Sequence, residues 1–298
     1  MRLLFCVNRD LYANLALNHL LPHCAQDDCM VFFSEKVGSR KISSPALDFL
    51  RFYEQELPNR YLFPLYENWP SSEPGRETSH LKTFQQLSER YQTPMLSVQN
   101  INAPDTVQTV AAFQPDLIIS IRFGQILKKA IIQLPRYGVI NLHSGLLPEY
   151  RGILATFRCM LHDEAHYGYT LHYIDDASID TGRVIQRVIM PVDADQSLFH
   201  HIRNLYPSGA NAILETLHLL KQGKQPTTTE QDPNAGNYYG LPTAAEFELF
   251  KQKGYRILDE TDYFHYLSQY QPDVIPAGSN PHLSALVHEP LPTVHATV

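Results

Sequence analysis

The sequence predicts an α/β protein: a twisted, mostly parallel sheet flanked by helices, with a small C-terminal extension. Three observations predict it. The chain opens strand, helix, strand, with RLLFCV at 2–7, apolar residues at helical spacing in YANLALNHLL at 12–21, and CMVFFSE at 29–35. DLIISI at 116–121 is an unbroken β-compatible run behind a Pro-Asp turn, as a strand covered on both faces requires. GVINLHSG at 138–145 repeats that pattern but ends in polar residues.

The elements between these strands follow from local signals. Ser44-Pro45 starts a helix, with Ser as N-cap and Pro at the first helical position. Pro58, Pro64, Pro70 and Pro74 break up residues 57–79, which read as a surface insertion. A helix over 79–91, a strand at 94–98 and a helix from Asp105 to Phe113 precede the 116–121 strand. A short helix at 125–132 leads into 138–145, followed by a helix at 153–163 and paired strands at 169–175 and 183–192. A long amphipathic helix runs from Asp195 or Gln196 to Lys221. The polar stretch 222–237 then divides a core domain, 1–221, from an extension, 222–298. Within the extension, Thr243 three residues ahead of Glu246 forms a capping box, and the Pro-rich end 272–298 reads as a mobile arm.

Composition bounds the function. The chain has 298 residues, 44% hydrophobic and 18% charged, which excludes disordered and collagen-like classes. Four cysteines are too few to staple a chain this long, and no run approaches the ~18–20 apolar residues that span a bilayer. A cytoplasmic protein with reduced thiols is expected. The formal charge of −7, from 24 Lys+Arg against 31 Asp+Glu, provides no global field for a phosphate backbone, so nucleic acid is not expected as the principal partner.

The chemistry is concentrated in two segments. In N-L-H-S-G-L-L-P-E-Y-R-G at 141–152, Asn141 and His143 share one face of a strand end. An amide donor beside an imidazole suits a carbonyl oxygen that becomes an oxyanion. In H-Y-I-D-D-A-S-I-D-T-G at 172–182, a strand enters a loop with three carboxylates, one of which can orient the imidazole. Spacing alone leaves open a polar strand end tied to its loop and an ordinary Asp/Ser turn. The loop Arg122–Leu127 follows the carboxyl end of the 116–121 strand, where open α/β sheets collect ligands.

Together, NLHSGLLPEYRG and YTLHYIDDASIDTGRVI resemble the folate-dependent formyltransferase family of glycinamide ribonucleotide, methionyl-tRNA and sugar-nucleotide N-formyltransferases, most closely the sugar branch. The family pattern is Asn-x-His-x-Ser/Gly-Leu-Leu-Pro-x-Tyr/Phe-Arg/Lys-Gly, followed by an Asp in an Asp-x-Gly turn. The resemblance covers roughly residues 1–220 and implies a Rossmann-like formyltransferase fold, with 10-formyltetrahydrofolate as co-substrate and no metal. It implies Asn141, His143 and Asp180 as the catalytic set. A neutral amine attacks the formyl carbon, Asn141 and protonated His143 stabilise the oxyanion, and Asp180 holds His143 and helps remove the amine proton through water. Phe123 and Ile126 are implied as an apolar wall of the folate pocket, Gln125 and Leu127 as main-chain contacts, and Asp176 as part of its far side. Ser144, Tyr150, Arg151, Gly152, His172 and Tyr239 are implied on the acceptor side. The sequence departs from the pattern after Gly152, where ILATFRCML replaces a Pro and an aromatic-Ala pair, and in a 175–180 turn about one residue longer.

Competing readings have weaker support. His162 and His166 have i, i+4 ligand spacing only if their helix passes Ala165, and Gly168 argues that it stops. Ser144 lacks a Gly-x-Ser-x-Gly elbow. A non-catalytic folate or nucleotide-sugar binding module has no need of Asn141, His143 and Asp180 together. Formyl-donor hydrolases carry an N-terminal regulatory domain, whereas this sequence opens on a core strand. For the acceptor, a small-molecule amine is expected, foremost a nucleotide-linked amino sugar, with an amino-acid-derived or siderophore-type hydroxylamine as the alternative. The extension lacks the basic β-barrel of methionyl-tRNA formyltransferases. Sugar-modifying relatives also suggest a homodimer. Tyr238 and Tyr239 are either a stacking platform or packing residues.

Overall fold

A computed structural model describes residues 1–34, 44–68, 81–232 and 234–271. The expected helix start at 79–80 and the arm at 272–298 lie outside the described residues. In chain order the elements begin β1 (Arg2–Asn8), α1 (Leu11–Leu20), β2 (Asp28–Ser34), α2 (Pro45–Arg51), α3 (Phe63–Glu67), α4 (Phe84–Tyr91), β3 (Met95–Ser97) and α5 (Pro104–Phe113). They continue with β4 (Leu117–Ile121), α6 (Lys129–Ile132), β5 (Val139–His143), β6 (Tyr150–Gly152), α7 (Ala155–Leu161), β7 (His166–Tyr173) and β8 (Val184–Pro191). The last are α8 (Leu198–Lys221), β9 (Asn237–Tyr239), α9 (Ala244–Gln252) and α10 (Glu260–Ser268).

The main sheet has seven strands in the order β3-β2-β1-β4-β5-β7-β8. β3 through β5 pair in parallel, and β7 and β8 add antiparallel to β5 and to each other. The central strands β1 and β4 are apolar on both faces because helices cover both. One large apolar cluster lies under α1 and α8. A smaller one on the opposite face joins Leu4, Ile118, Leu127 and Val139. The chain reverses its strand order between β1 and β4, so the carboxyl ends of β1, β4 and β5 form the crevice edge.

Caps set the helix starts. The Asp10 side chain accepts the Ala13 N–H at 2.8 Å, and Ser44, with Pro45 at the first helical position, caps α2. Thr83–Gln86 and Thr243–Glu246 are reciprocal capping boxes at α4 and α9. Ser197 caps α8, so that helix starts slightly later than Asp195 or Gln196. The expected 125–132 helix is confined to Lys129–Ile132, because the Gln125 side chain pins the preceding loop, accepting from Ile101 N at 2.8 Å and donating to Val98 O at 3.0 Å.

The insertion is the main correction to the fold. Residues 57–68 are not a broken surface loop. A wide helix with i→i+5 character spans Phe52–Leu62 and runs into α3. Pro58 lies inside it, and Pro64 stands in the first turn of α3. Leu62, Phe63 and Tyr66 are buried in the large cluster, where Phe63 and Tyr66 pack on Tyr270 and Tyr53 packs on Tyr263. The extension is equally integrated. Phe247 and Phe250 pack on Phe157, Tyr263 packs on Phe199, and the buried Arg158 is paired with Glu246.

Two short strands and one helix escaped the sequence reading. β6 and β9 make a parallel two-stranded ribbon, with Tyr150 opposite Asn237 and Gly152 opposite Tyr239. Three-residue strands carry too little periodicity to register. α10 buries Tyr263, Tyr266 and Leu267, but its four tyrosine, phenylalanine and histidine side chains give a blurred helical stripe.

Candidate active site

The site is built at the carboxyl end of β5. Alternation puts Asn141 and His143 on one face, and the antiparallel register sets His172 opposite Asn141 and Thr170 opposite His143. Leu142 faces the other way, onto Gly209 of α8, where a Cβ would approach it to 2.6 Å. That close packing fixes the face on which the polar pair stands. Thr170 steadies the following loop, donating to Gly145 O at 2.8 Å and accepting Leu147 N–H at 3.0 Å.

His143 is buried, 7% exposed, and both ring nitrogens face protein oxygens. Nε2 lies 2.7 Å from the Tyr150 carbonyl, which only accepts, so this nitrogen carries a proton. Nδ1 faces Asp180 Oδ2 at 3.5 Å. The His172 Nδ1–H donates to the Tyr173 carbonyl at 2.8 Å. In the neutral ring its Nε2 accepts from Asn141 Nδ2 at 3.1 Å, and in the protonated ring the same nitrogen donates to Asp180 Oδ1 at 3.5 Å. One hydrogen of the half-buried Asn141 amide is thereby oriented by His172, and the other remains available to a ligand oxygen.

Asp180 reaches this group from the β7–β8 connection with a left-handed φ of +57°. Its Oδ2 accepts the Gly152 N–H at 2.8 Å. Gly152 itself has a φ of +98°, and a Cβ there would lie 2.2 Å from the Tyr239 carbonyl, so the ribbon requires glycine. Burial alone would raise the Asp180 pKa. The imidazoles of His143 and His172 and the Gly152 N–H outweigh it and hold the carboxyl well below its ordinary value.

The structure thus brings together Asn141, His143, His172, Asp180 and Gly152, with Tyr150 contributing its carbonyl. Ser144 and Arg151 are half-buried in the flanking loop and in β6. The Tyr150 ring turns away, its hydroxyl donating to Glu164 at 2.8 Å. Its face stacks on Tyr239 at 5.6 Å, and His162 and the Arg158 guanidinium also cover Tyr239. Tyr239 is therefore a packing ring, and the exposed aromatic beside Gly152 is Tyr238, 54% exposed.

The Arg122–Leu127 loop forms one side of the crevice, with corrections. Arg122 is not a wall residue: its guanidinium turns inward to Asp10 at 2.7 Å and Glu54 at 2.8 Å, over the Tyr12 ring. Burial, reinforced by Asp10, pushes the Glu54 carboxyl up to about 7 against the pull of Arg122. The Gln125 side chain is spent on the backbone of residues 98 and 101. Leu127 is buried, Phe123 packs on the same cluster, and Ile126 presents an apolar side chain that is 52% exposed. Asp176 uses a carboxylate oxygen to close its own turn onto Ser178 N at 2.7 Å.

An open groove of about 340 Å³, within the usual range for small-molecule sites, lies at the amino end of β5. Ile132, Val139, Tyr173, Ile174, Asp175 and Arg183 line it, and Arg183 ties to Asp175 at 2.8 Å while lying over Tyr173. Val139 is two residues along β5 from Asn141 and shares an apolar cluster with Leu127, Phe123, Ile132 and Ile174. Among the described residues, no three or more His, Cys, Asp or Glu gather as metal ligands do, and no helix is long and apolar enough to cross a membrane.

Comparison with known proteins places this geometry. Residues 74–217 match the family described as formyl transferase. Methionyl-tRNA formyltransferase of Geotalea uraniireducens is 36% identical over 138 residues, 46% of this chain and 44% of that protein. The chain thus spans less than two thirds of the length of the curated relatives it matches. The glycinamide ribonucleotide transformylase 1 structure from Symbiobacterium toebii superposes with a TM-score of 0.53 at 14% identity, covering 78% of this chain and 94% of that one. The N-formyltransferase of Helicobacter canadensis, in complex with folinic acid and dTDP-3-aminofucose, gives 0.51 at 14%, covering 83% and 78%. At such identities these superpositions show the shared fold alone. The matched segment, just under half of the chain, contains the Asn141–Gly152 motif and the Asp180 turn, and over those residues the chain is similar to the formyl transferase family.

Proposed function

We propose that this protein is an N-formyltransferase that moves the formyl group of 10-formyltetrahydrofolate to an amine. The observation that carries the reading is the convergence of Asn141 and His143 of β5 with Asp180 of the β7–β8 connection at one strand end. The acceptor nitrogen attacks the formyl carbon, its lone pair forms the new C–N bond, and the carbonyl electrons move to oxygen. The free Asn141 Nδ2–H donates to that oxyanion, worth ~10²–10³ in rate for a donor of this kind. Asp180, facing His143 Nδ1, takes up the amine proton through water, and the folate nitrogen departs with the bonding pair and receives a proton from that water. The apolar Ile126 edge of the Arg122–Leu127 loop is the complementary surface for the flat donor ring.

A small-molecule amine, foremost an amino-sugar nucleotide, is the acceptor this chain suits best. Residues 222–298 hold nine Asp and Glu against four Lys and Arg, and their described part packs on the core as helices and one short strand. That surface offers little to a phosphate backbone. The identity to methionyl-tRNA formyltransferases supports aminoacyl-tRNA as the second reading. The two separate in one assay, release of tetrahydrofolate with amino-sugar nucleotides, hydroxyornithine, glycinamide ribonucleotide and methionyl-tRNA offered in parallel. Turnover with an amino-sugar nucleotide supports the first reading. Turnover with methionyl-tRNA alone overturns it.

A further inference from the structure

We infer that Gln231, in the C-terminal extension, is a positioning residue for Asp180, an inference that rests on the formyl transfer reading for its catalytic consequence. Asp180 is held in the left-handed region, where a non-glycine residue is strained and persists only under external restraint. The extension supplies that restraint from two sides. The Gln231 Nε2 donates to Asp180 O at 3.2 Å and to Gly182 O at 2.6 Å, bracketing the turn with a single amide. Thr229 holds Gln231 in place by exchanging two backbone hydrogen bonds of 2.8 Å with Val184, next to that turn. On the far side, β9 pairs with β6 and the Tyr239 carbonyl accepts the Ile153 N–H at 2.8 Å. That pairing sets the backbone whose Gly152 N–H meets the Asp180 carboxylate. The extension therefore grips both the backbone and the carboxylate of Asp180.

A glutamine suits this place because both acceptors are carbonyls and its NH₂ has two hydrogens for them. A carboxylate of the same shape would present oxygen to oxygen. Removing the amide leaves the strained turn free to relax, which moves the carboxylate away from His143 Nδ1 and from Gly152 N together. A few tenths of an ångström matter here, since the Asp180 to imidazole distances already stand at 3.5 Å.

The test uses the full chain with Gln231→Ala and Gln231→Glu, and two readouts. The first is amide hydrogen exchange at Gly152, which reports the Asp180 contact without any assay of turnover. The second is kcat, KM and the pH profile of formyl transfer. Exchange at Gly152 at least tenfold faster in both variants, β5 amides unchanged, kcat lower by tenfold or more at similar KM, and a displaced pH profile are the expected results. Unchanged Gly152 exchange overturns the inference, as does faster exchange with an unchanged kcat and pH profile. Should the wild-type chain transfer no formyl group to any amine, the functional reading fails, and Gly152 exchange alone then decides whether Gln231 positions Asp180.

Discussion

The Asp180 carboxylate accepts the Gly152 N–H at 2.8 Å, tying the β7–β8 connection to the β6–β9 ribbon. The two residues are 28 positions apart and each has a positive φ. Catalytic geometry and ribbon geometry are therefore one structure, and perturbing either end disturbs both.

Gly152→Ala is the sharpest probe of that coupling. A Cβ 2.2 Å from the Tyr239 carbonyl forces the ribbon to shift, in a backbone conformation that penalises alanine. A loss of about 1–3 kcal/mol in denaturant unfolding is expected, together with a fall in kcat. Wild-type stability in this variant would show that the ribbon yields without cost.

Asp180 leaves a signature in acid. Its native pKa lies below the unfolded value of about 3.9, so its contribution is present above that pH and is lost as pH falls from there toward the depressed native value. Asp180→Asn should flatten the decline of thermal stability below pH ~4. A variant that declines in parallel with wild type contradicts the charge network around His143.

Glu54 behaves in the opposite sense. Its native carboxyl titrates near 7, above an unfolded value of about 4.3, so the native state binds its proton more readily. The stability it contributes is full below pH ~4.3 and is lost as pH rises through about 7. The melting temperature of Glu54→Gln, relative to wild type, should rise between pH 5 and pH 8. A constant difference across that range would mean Arg122 keeps Glu54 ionised throughout.

Ile126 tests the donor surface. With half its side chain exposed, Ile126→Asp should leave the melting temperature within about 1–2 °C of wild type while raising the donor KM several-fold. An unchanged donor KM removes Ile126 from the pocket wall.

Much of the site was legible because strand alternation is a local property. Asn141 and His143 share a face by counting, and the two apolar strands that carry the sheet declare themselves as buried runs. Which of the three carboxylates meets His143 was accessible only through resemblance, since nothing local fixes where a ten-residue connection returns. Gln231, β9 and the helical insertion were illegible for the same physical reason. Their roles come from tertiary partners: carbonyls for Gln231, Tyr150–Gly152 for β9, and Tyr263 and Tyr270 for the insertion, whose prolines suggested disruption. The long-range pinning of the 122–127 loop by Gln125 likewise overrode its local helical pattern.

The most direct measurement is tetrahydrofolate release from 10-formyltetrahydrofolate, in the presence of the acceptor panel, by wild type, His143→Ala and Asp180→Ala, with circular dichroism confirming that each variant is folded. Formyl transfer through this strand end predicts acceptor-dependent release by wild type and a loss of ~10²-fold or more in each variant. Near-normal release by both folded variants would contradict it.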